Sequence, residues 1–273
     1  MRLIDRALDR LLPGGGRGAA GRIREAMRYC VLSGGKRFRP LLCLGGCDAV
    51  GAPARRALPA ACAIELMHTY SLVHDDLPAM DDAATRRGRP SCHRKFGEGN
   101  AILVGDALLT FAFEFLGRQG TPHALRIINT LGRACGTVGL IGGQALDLEA
   151  LRSQTASAAA LREIARRKTA ALIAASVTAG ALAGLPPEAL AKGGGADTAS
   201  LKRLRRYGQD IGLAFQLVDD AHDHDGLARS LGADAAKREA HRLIGRALET
   251  LAPFGRRADT LRELAVMLAS TVC

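Results

Sequence analysis

The feature that most constrains the fold is a helical repeat that ends in a cluster of carboxylates. Between positions 59 and 77, apolar residues recur at i, i+4, i+7 and i+11; they are Leu66, Tyr70, Val73 and Leu77. This spacing predicts one buried face of a helix that begins near a proline, Pro59. A second face carries polar residues at i, i+3 and i+7; they are His68, Ser71 and Asp75. The carboxylate cluster therefore starts on the face that also carries a histidine.

The cluster contains four aspartates: Asp75, Asp76, Asp81 and Asp82. Crowded carboxylates raise one another's pKa values. A hard cation relieves that crowding, and Mg²⁺ prefers a few carboxylates together with waters and substrate phosphates. A solvated acidic helix end is the alternative interpretation. In a straight helix Asp75 would share a face with Asp82, but Pro78 disturbs the helix between them, so spacing leaves Asp81 and Asp82 as open alternatives.

A second aspartate cluster ends another helical stretch, residues 201–223. One stripe of this stretch is apolar and consists of Leu204, Ile211, Phe215 and Val218. The other stripe consists of Gln209, Gly212, Gln216, Asp219 and Asp223. Asp219 and Asp223 are one helical turn apart, so their side chains project together. Two such clusters far apart in the chain favour a metal site over a solvated surface.

Two basic clusters follow or contain turn residues. Residues 36–39 follow Ser33-Gly34-Gly35, where glycines suit the left-handed end of a helix. Cations beside backbone N–H groups are typical of an anion site, and a basic capped loop is the alternative. The second cluster is Arg86-Arg87-Gly88-Arg89.

Composition favours packed helices. The chain has 273 residues, of which 48% are hydrophobic but only 4% aromatic, so its core is built from Leu, Ala, Ile and Val. No alternating strand pattern occurs, which predicts an all-α protein with one domain over residues 1–273. The net charge of +11 fits a nucleic acid, an anionic membrane surface or an anionic small substrate as partner.

The remaining helices are predicted from periodicity and breaks. They cover residues 1–12, 21–32, 100–115, 124–148 and 158–183, with helical pattern from 232 to about 269 and a linker at 193–195. Residues 169–187 carry no charge, but they are rich in Ala, Gly, Thr and Ser. We therefore predict a buried helix there and no membrane span.

Cysteine usage and the termini indicate the compartment. The seven cysteines include no Cys-x-x-Cys and no paired Cys/His spacing, so neither a zinc site nor a disulfide framework is indicated. Reduced thiols predict a cytoplasmic protein. The N-terminal residues lack the apolar core of a signal peptide, and Cys273 is the last residue, so it is not a prenylation box.

Together these motifs resemble the trans-prenyl diphosphate synthases, most closely the bacterial farnesyl diphosphate (geranyltranstransferase) type. The resemblance runs from about residue 26 to residue 223. It is carried by Gly-Gly-Lys36-Arg-Phe-Arg39-Pro, His68-Thr-Tyr-Ser-Leu-Val-His-Asp75-Asp-Leu-Pro-Ala-Met-Asp81-Asp, Arg86-Arg87-Gly, Gly-Gly-Gln144-Ala-Leu-Asp147, Lys168-Thr169 and Phe215-Gln216-Leu-Val-Asp219-Asp-x-x-Asp223.

The resemblance implies the isoprenoid synthase fold, a bundle of long helices around a central apolar cavity, and a homodimer. It implies that two aspartate motifs face each other across the cavity mouth and hold Mg²⁺ on the diphosphate of an allylic substrate. The implied metal ligands are Asp75, Asp76, Asp81, Asp219 and Asp223. The resemblance thus favours Asp81 over Asp82.

The resemblance also implies the substrate contacts. Positions that hold isopentenyl diphosphate match Lys36, Arg39, His68 and Arg87. Positions that hold the allylic diphosphate match Arg86, Lys168, Thr169 and Gln216. The residues expected to carry catalysis are Asp75, Asp81, Arg86, Lys168 and Asp219. The implied reaction condenses dimethylallyl or geranyl diphosphate with isopentenyl diphosphate to give farnesyl diphosphate and diphosphate. Polyanionic substrates then explain the basic charge without a nucleic acid.

Product length is expected to depend on Tyr70 and Ser71. In the resembled family the growing chain runs alongside the first-motif helix, and residues one turn before Asp75 form the floor of the cavity. A tyrosine there predicts a C15 product, whereas a smaller floor would allow C20. The starter, dimethylallyl or geranyl diphosphate, stays open.

The sequence departs from the family after the second motif. The family carries a lysine-bearing loop there, whereas Asp225-Gly226 here passes almost directly into residues 230–237, which resemble the helix beyond that loop. Either the loop is absent or it is missing from the sequence as given, and an intact-mass measurement separates the two. The alternatives to a farnesyl diphosphate synthase are a geranylgeranyl diphosphate synthase, a non-catalytic regulatory partner of a synthase and a basic nucleic-acid binder.

Overall fold

The structure, a computed structural model, describes residues 1–121, 123–153, 156–190, 195–223 and 225–271. Most of the expected linker at 193–195 lies outside these ranges, and its last residue, Gly195, begins a helix. The expectation about Cys273 also lies outside the described residues.

Helices make up nearly all of the regular structure that the described ranges contain. The first seven are α1 (Arg2–Leu11), α2 (Gly18–Val31), α3 (Phe38–Ala49), α4 (Leu58–Asp75), α5 (Cys92–Phe96), α6 (Glu98–Arg118) and α7 (Ala124–Cys135). The others are α8 (Leu140–Ser153), α9 (Ala158–Ile164), α10 (Ala171–Gly184), α11 (Gly195–Asp223), α12 (Gly226–Leu231), α13 (Ala233–Thr250) and α14 (Asp259–Ala269). The all-α prediction is confirmed.

The exception is a short hairpin in the second basic cluster. Strand β1 (Thr85–Arg86) pairs antiparallel with β2 (Arg89–Pro90), and the two residues between them are Arg87 and Gly88. Both have positive φ, 55° and 72°, which is the backbone that a tight two-residue hairpin turn requires. Strands of two residues have no alternating pattern, so periodicity could not predict them.

The chain divides into two compact units, and the first contains Met1–Leu41 and Leu58–Gly120. Helix α4 is its core, since its buried residues include Ile64, Leu66 and Met67. α4 packs on α6 at Gly105, where an added Cβ would lie 2.0 Å from Nε2 of His74. The glycine thus lets the imidazole sit between the two helices. The first-motif helix is therefore held rigidly within unit 1.

The second unit contains Leu42–Ala57 and Thr121–Cys273. The uncharged helix α10 is its core, and twelve of its residues are buried, so the predicted buried helix is confirmed. It packs on α11 at Gly208, where a Cβ would lie 2.6 Å from Ala174 Cα, and on α3 at Gly180, 1.7 Å from Cys43 O. Small residues thus let helix backbones come into contact. The prediction of one domain over the whole chain stays a prediction.

The predicted helix 124–148 is wrong as a single element. It consists of α7 and α8, with a break between Cys135 and Leu140. Gly136 adopts extended backbone (φ −76°, ψ −163°), and glycine in a helix is unfavourable by about 1 kcal/mol relative to alanine. The predicted helix 158–183 is continuous but contains a π-helical segment, Ala165–Ala170.

One helix of the described residues, α6, is long and apolar enough by length and composition to cross a membrane. A third of its most apolar window is buried. Core helices of soluble proteins pass the same test, so a single such helix is weak evidence for a span. Six cysteines in the described ranges are free thiols.

The contact at Gly180 gives a test of the packing. Gly180→Ala places a methyl group against backbone and is expected to lower the free energy of unfolding by about 3 kcal/mol. The matched control is Gly245→Ala in α13, where an added Cβ meets nothing within 4 Å; it should raise stability by about 1 kcal/mol. Urea denaturation of both variants measures the difference. Equal effects would show that α10 does not approach α3 closely.

Candidate active site

The first aspartate motif begins where helix α4 ends. The chain turns after Asp75, and the backbone N–H of Asp81 donates to the carbonyl of Asp75 at 2.9 Å. Pro78 lies in the turn, so the loop returns to the helix end instead of continuing the helix. Asp75 and Asp81 are thereby brought together, although a helical projection separates them.

The Asp82 carboxylate contacts two residues of helix α5, Arg94 and His93. Its carboxylate accepts a hydrogen bond from Arg94 at 3.1 Å and lies 3.6 Å from Nε2 of the buried His93. Its backbone has a positive φ of 46°, which turns its side chain away from the direction that a helix would give. Between the alternatives that spacing left open, the geometry supports Asp81.

Asp76 is buried against Arg86. The guanidinium donates to Oδ1 of Asp76 from Nε at 3.0 Å and from Nη2 at 2.5 Å, and Asp76 is only 2% exposed. The hydrogen bond to Asp76 raises the pKa of Arg86, and Asp75 and Asp81 add to the effect. The structure thus gives Asp76 a cation partner, and its expected role as a metal ligand stays a prediction.

Three of the four residues expected at isopentenyl diphosphate lie close together in unit 1. Nη1 of Arg39 is 3.5 Å from Nε2 of His68. Burial, followed by the charges of Arg39 and Arg87, holds the pKa of His68 well below its usual value. His68 is therefore neutral, with its Nε2 lone pair facing Arg39. The fourth residue, Lys36, is exposed at the start of the same segment.

Arg87 is fixed by the glycine turn that precedes the first basic cluster. Its Nη1 donates to the carbonyl of Gly34 and lies 3.5 Å from Oγ of Ser33. A Cβ on Gly35 would lie 2.7 Å from the Arg87 guanidinium carbon, so only glycine leaves room for it. Burial lowers the pKa of Arg87. A half-buried arginine with a left-handed backbone (φ 55°) is a strained arrangement of the kind found at functional sites.

An ion pair that the sequence pattern did not predict supports the first basic cluster. Arg37, only 3% exposed, donates to Glu65 at 2.5 Å, to Asp5 at 2.9 Å and to the carbonyl of Val31 at 2.9 Å. The available signal was Glu65 itself, a lone carboxylate among apolar residues of α4. A buried carboxylate requires a partner, and Arg37 of the first basic cluster, residues 36–39, provides it.

In unit 2, the expected residues Lys168 and Thr169 lie in the π-helical segment. Nζ of Lys168 donates to Asp147 at 2.6 Å, and the Thr169 hydroxyl donates to Gln216 at 2.5 Å. A Cβ on Gly143 of α8 would lie 2.3 Å from the backbone N of Lys168, so the backbone of α8 is in close contact with this segment. π-helical turns are frequent at functional sites.

The three aspartates of the second motif differ in exposure and in hydrogen bonding. Asp219 and Asp223 are exposed. Asp220 accepts from Nε2 of Gln216 at 2.6 Å and from the backbone N–H of Leu227 at 2.7 Å. Burial raises the pKa of Asp220. Gln216 therefore connects Thr169 to the motif, and sequence spacing gave no sign of the role of Asp220.

Within unit 2, Gln144 is buried, and its Oε1 has no hydrogen-bond partner among the described residues. Buried amide oxygens without partners are unfavourable, so this dipole is available to a ligand.

After the second motif, α12 begins at Gly226, and the Asp225 side chain caps it by accepting a hydrogen bond from the backbone N–H of Gly226 at 2.7 Å. The described chain thus forms a helix where the family carries its basic loop.

The expected chain-length residues lie on the buried part of α4. Tyr70 is 4% exposed, and its ring packs edge-on against His74 with centroids 5.9 Å apart. The Ser71 hydroxyl donates to the carbonyl of His68 at 2.9 Å. Both residues are one turn before Asp75, and their role at a cavity floor stays a prediction.

The oxygen donors of the two aspartate motifs suit some metal ions better than others. Within the described ranges, no group of three or more His, Cys, Asp or Glu side chains converges on one point. The part of the chain that the structure describes therefore presents no all-protein cage of the kind that Zn²⁺ or Ca²⁺ uses. Mg²⁺ needs only one or two carboxylates when phosphates supply the other oxygens, so Asp75 with Asp81, and Asp219 with Asp223, fit it.

A model of the polyprenyl synthetase family matches residues 21–250. The chain belongs to this family. The dimethylallyltranstransferase of Fischerella ambigua is 41% identical over 267 residues, 89% of this chain and 74% of that protein. The large subunit 1 of the heterodimeric geranylgeranyl pyrophosphate synthase of Arabidopsis thaliana chloroplasts is 43% identical, over 86% of this chain and 62% of the relative.

Solved structures of the polyprenyl synthetase type agree with the fold. The apo structure of an FPP/GFPP synthase from Zymomonas mobilis matches with a TM-score of 0.89 and 37% identity, covering 98% of this chain and 95% of that one. The chain spans about three fifths of the length of the chloroplast relatives it matches. Family membership and the all-α fold are therefore established on both sequence and structure.

The neutral state of His68 gives a pH prediction. The unfolded chain takes up a proton on histidine near pH 6.5, and the folded state resists it, so the free energy of unfolding should fall as the pH drops below about 6.5. His68→Gln should reduce that dependence. Urea denaturation between pH 7.5 and 5.5, with NMR of the imidazole nitrogens, measures it. A His68 that titrates at or above 6.5 in the folded protein contradicts the proposed neutral contact with Arg39.

Proposed function

We propose that this protein is a Mg²⁺-dependent prenyltransferase that condenses an allylic diphosphate with isopentenyl diphosphate to give farnesyl diphosphate. The single observation that carries the proposal lies in unit 1. Arg39 and Arg87 lie close to neutral His68 of helix α4, and Asp75 and Asp81 meet at the end of that helix. One group suits a bare diphosphate, and the other suits a metal-bound one.

The cation group is proposed to hold isopentenyl diphosphate. Arg39 and Arg87 supply fixed positive charge, and Arg87 is already positioned by Ser33 and Gly34. Guanidinium groups match the geometry of phosphate oxygens. His68 enters neutral, and the arriving negative charge favours its protonation. Binding then adds a charge-assisted hydrogen bond that the free protein does not have.

The allylic diphosphate must ionise, so its binding residues must stabilise negative charge on the leaving group. By the family resemblance, Arg86, oriented by Asp76, and Lys168 are proposed to do so. Thr169 and Gln216 are proposed to orient the same diphosphate. When bound by Asp75, Asp81, Asp219 and Asp223, Mg²⁺ would neutralise the developing charge on that diphosphate. Preorganised cations of this kind usually make the largest contribution to such a reaction.

No protein nucleophile is required for the proposed reaction. The allylic carbocation is attacked by the double bond of isopentenyl diphosphate, and a proton is then lost, for which the released diphosphate is a plausible base. Water must be excluded because it would quench the cation. The low aromatic and high aliphatic content of the chain suits such an apolar lining.

A C15 product is proposed because Tyr70 is large, buried and one turn before Asp75. The relatives carry names for different products: geranylgeranyl diphosphate for the Arabidopsis protein, and FPP/GFPP for the Zymomonas enzyme. The names alone therefore do not select a chain length. The geranylgeranyl product is the alternative within this proposal. We further propose a cytoplasmic homodimer.

A second candidate function is a non-catalytic partner of another synthase. One observation favours it: between Asp223 and Lys237 the sequence has no lysine, whereas the resembled family carries one on a loop there. Both aspartate motifs argue against it. A partner of this kind would bind a synthase and change its product without turning over substrate alone.

The proposal is tested by incubating the purified chain with dimethylallyl and labelled isopentenyl diphosphates. Extracted products are analysed by chain length, with and without Mg²⁺. A Mg²⁺-dependent C15 product is expected. A C20 main product would replace the chain-length assignment, and no product by the homogeneous chain would favour the non-catalytic partner. Intact mass, measured on the same sample, shows whether a loop follows Asp225.

The choice of Asp81 over Asp82 predicts different effects of two similar substitutions. Asp81→Asn should lower kcat/KM by about a hundredfold or more, because it removes a metal-binding carboxylate. Asp82→Asn is the matched control and should cost about threefold or less, because Asp82 binds Arg94 instead. Steady-state kinetics at saturating Mg²⁺ measure both. The reverse order would show that Asp82 is the ligand.

The role of Tyr70 predicts a change of product. Tyr70→Ala should shift the main product from C15 to C20 or longer, because a buried ring is removed. Val73→Ala is the control: it also removes buried volume from α4, but at a pocket lined by Arg86 and Cys30. It should leave product length unchanged. Chromatography of the hydrolysed products decides the question, and equal shifts in both variants would mean that loosened packing is the cause.

A further inference from the structure

An imidazole lies between helices α4 and α6, one turn beyond the tyrosine that is proposed to limit product length. His74 is in the last turn of α4, and its Nε2 lies 3.1 Å from the carbonyl oxygen of Ile102 in α6. A carbonyl oxygen only accepts hydrogen bonds, so this contact places the imidazole proton on Nε2. The Asp106 carboxylate is 4.0 Å from the same nitrogen. The ring belongs to α4 but is therefore anchored to α6.

The space for this ring is provided by a glycine. Gly105 is buried within α6, and an added Cβ would lie 2.0, 2.4 and 2.6 Å from Nε2, Cδ2 and Cε1 of His74. By contrast, a Cβ added at Gly117 of the same helix meets nothing within 4 Å. Glycine is less favourable than alanine in a helix interior, so its presence at position 105 needs a packing reason. The imidazole is that reason, and any side chain at 105 must displace it.

The anchored imidazole is also the aromatic partner of Tyr70. The two residues are one turn apart and share a face of α4. Their rings pack edge-on, with centroids 5.9 Å apart and planes at 82°, which is a favourable geometry for an aromatic pair. Tyr70 is 4% exposed, whereas the His74 side chain is 30% exposed. The imidazole is therefore one wall of the space that the tyrosine ring occupies.

We propose that His74 and Gly105 determine product length by acting through Tyr70. Gly105 leaves room for the imidazole, the Ile102 carbonyl fixes it, and the fixed imidazole keeps the tyrosine ring where it stops chain growth. His74 and Gly105 are thus positioning residues, which affect the growing chain only through Tyr70. The inference rests on the proposed function, because it assigns a role in the length of a prenyl product.

The direction of the effect follows from exposure. A methyl group at position 105 takes the place of the imidazole, which must then move. The His74 side chain has an exposed side, whereas Tyr70 is almost fully buried, so the imidazole moves toward solvent and not against the tyrosine. The Tyr70 ring then loses its edge-on partner, and a methyl group fills less space than the imidazole did. A growing chain can push the ring into the remaining space, so longer products are expected.

The structural half of the proposal is tested without an activity assay, by a double-mutant cycle. In the unmodified protein, Gly105→Ala should raise the unfolding equilibrium constant at least about fivefold, because it overpacks the contact. In His74→Ala the same methyl group has room and alanine is the better helix former, so Gly105→Ala should lower that constant. Gly117→Ala is the matched control and should have the same effect in both backgrounds. Urea denaturation measures the cycle, and equal effects of Gly105→Ala in both backgrounds would overturn the proposal.

The functional half is read from the ratio of C20 to C15 product made from dimethylallyl and labelled isopentenyl diphosphates. Gly105→Ala and His74→Ala should each raise this ratio about fivefold, as expected for loss of one edge-on aromatic contact. The double variant should raise it no further, and Gly117→Ala should leave it unchanged. A loss of folded protein or a disturbed Asp75 lowers total turnover but does not change the ratio. An unchanged ratio in both single variants would overturn the proposal.

The failure of the proposed function has a different signature. Unmodified protein that forms no product, yet binds farnesyl diphosphate more tightly than geranylgeranyl diphosphate in calorimetry, counts against the proposed function alone. Gly105→Ala and His74→Ala should then reduce that preference about fivefold. Variants that keep the full preference would overturn the positioning role, and so would unmodified protein that binds the two diphosphates equally well. Unmodified protein that binds neither diphosphate would overturn both proposals.

Discussion

Charge neutralisation at the end of helix α4 is the constraint on which the structure of unit 1 depends. Carboxylates and guanidinium groups gather there within a buried environment, and each sign is tolerable only because the other is present. Arg37 forms an ion pair with Glu65, and Arg86 forms one with Asp76. These pairs fix the backbone of the two basic clusters. Beside these pairs lie Arg39 and Arg87, which are proposed to bind an anion, and Asp75 and Asp81, which are proposed to bind a cation.

Close backbone packing has the same positioning role in unit 2. Glycines at positions 143, 208 and 212 let the helix that carries Lys168 and Thr169 touch its neighbours, and that helix widens into a π turn at the two residues. Thr169, Gln216 and Asp220 then form one hydrogen-bonded chain. The second motif is thereby linked to the residues expected to bind the same diphosphate.

The sequence predicts long periodic elements well and spatial pairings poorly. Helices α4 and α11 follow from apolar spacing, because burial of one face determines them, and the buried helix α10 follows from its uncharged composition. The break at Gly136 and the hairpin at Arg87 were missed, since both depend on one or two backbone dihedrals. The partners of Arg37 and Arg86 were missed because ion pairs across 28 and 10 positions leave no periodic signal. Spacing left Asp81 and Asp82 open, and the turn that contains Pro78 distinguishes them because it returns Asp81 to the helix end.

The central claim is that one diphosphate is held by protein cations alone and the other through a metal. Calorimetric titration of isopentenyl diphosphate and of an unreactive thiolo analogue of geranyl diphosphate, each with Mg²⁺ and with EDTA, tests it most directly. The account predicts that removing Mg²⁺ weakens the analogue by about a hundredfold, near 2.7 kcal/mol, and isopentenyl diphosphate by about threefold or less. An analogue that binds equally well in EDTA would contradict it.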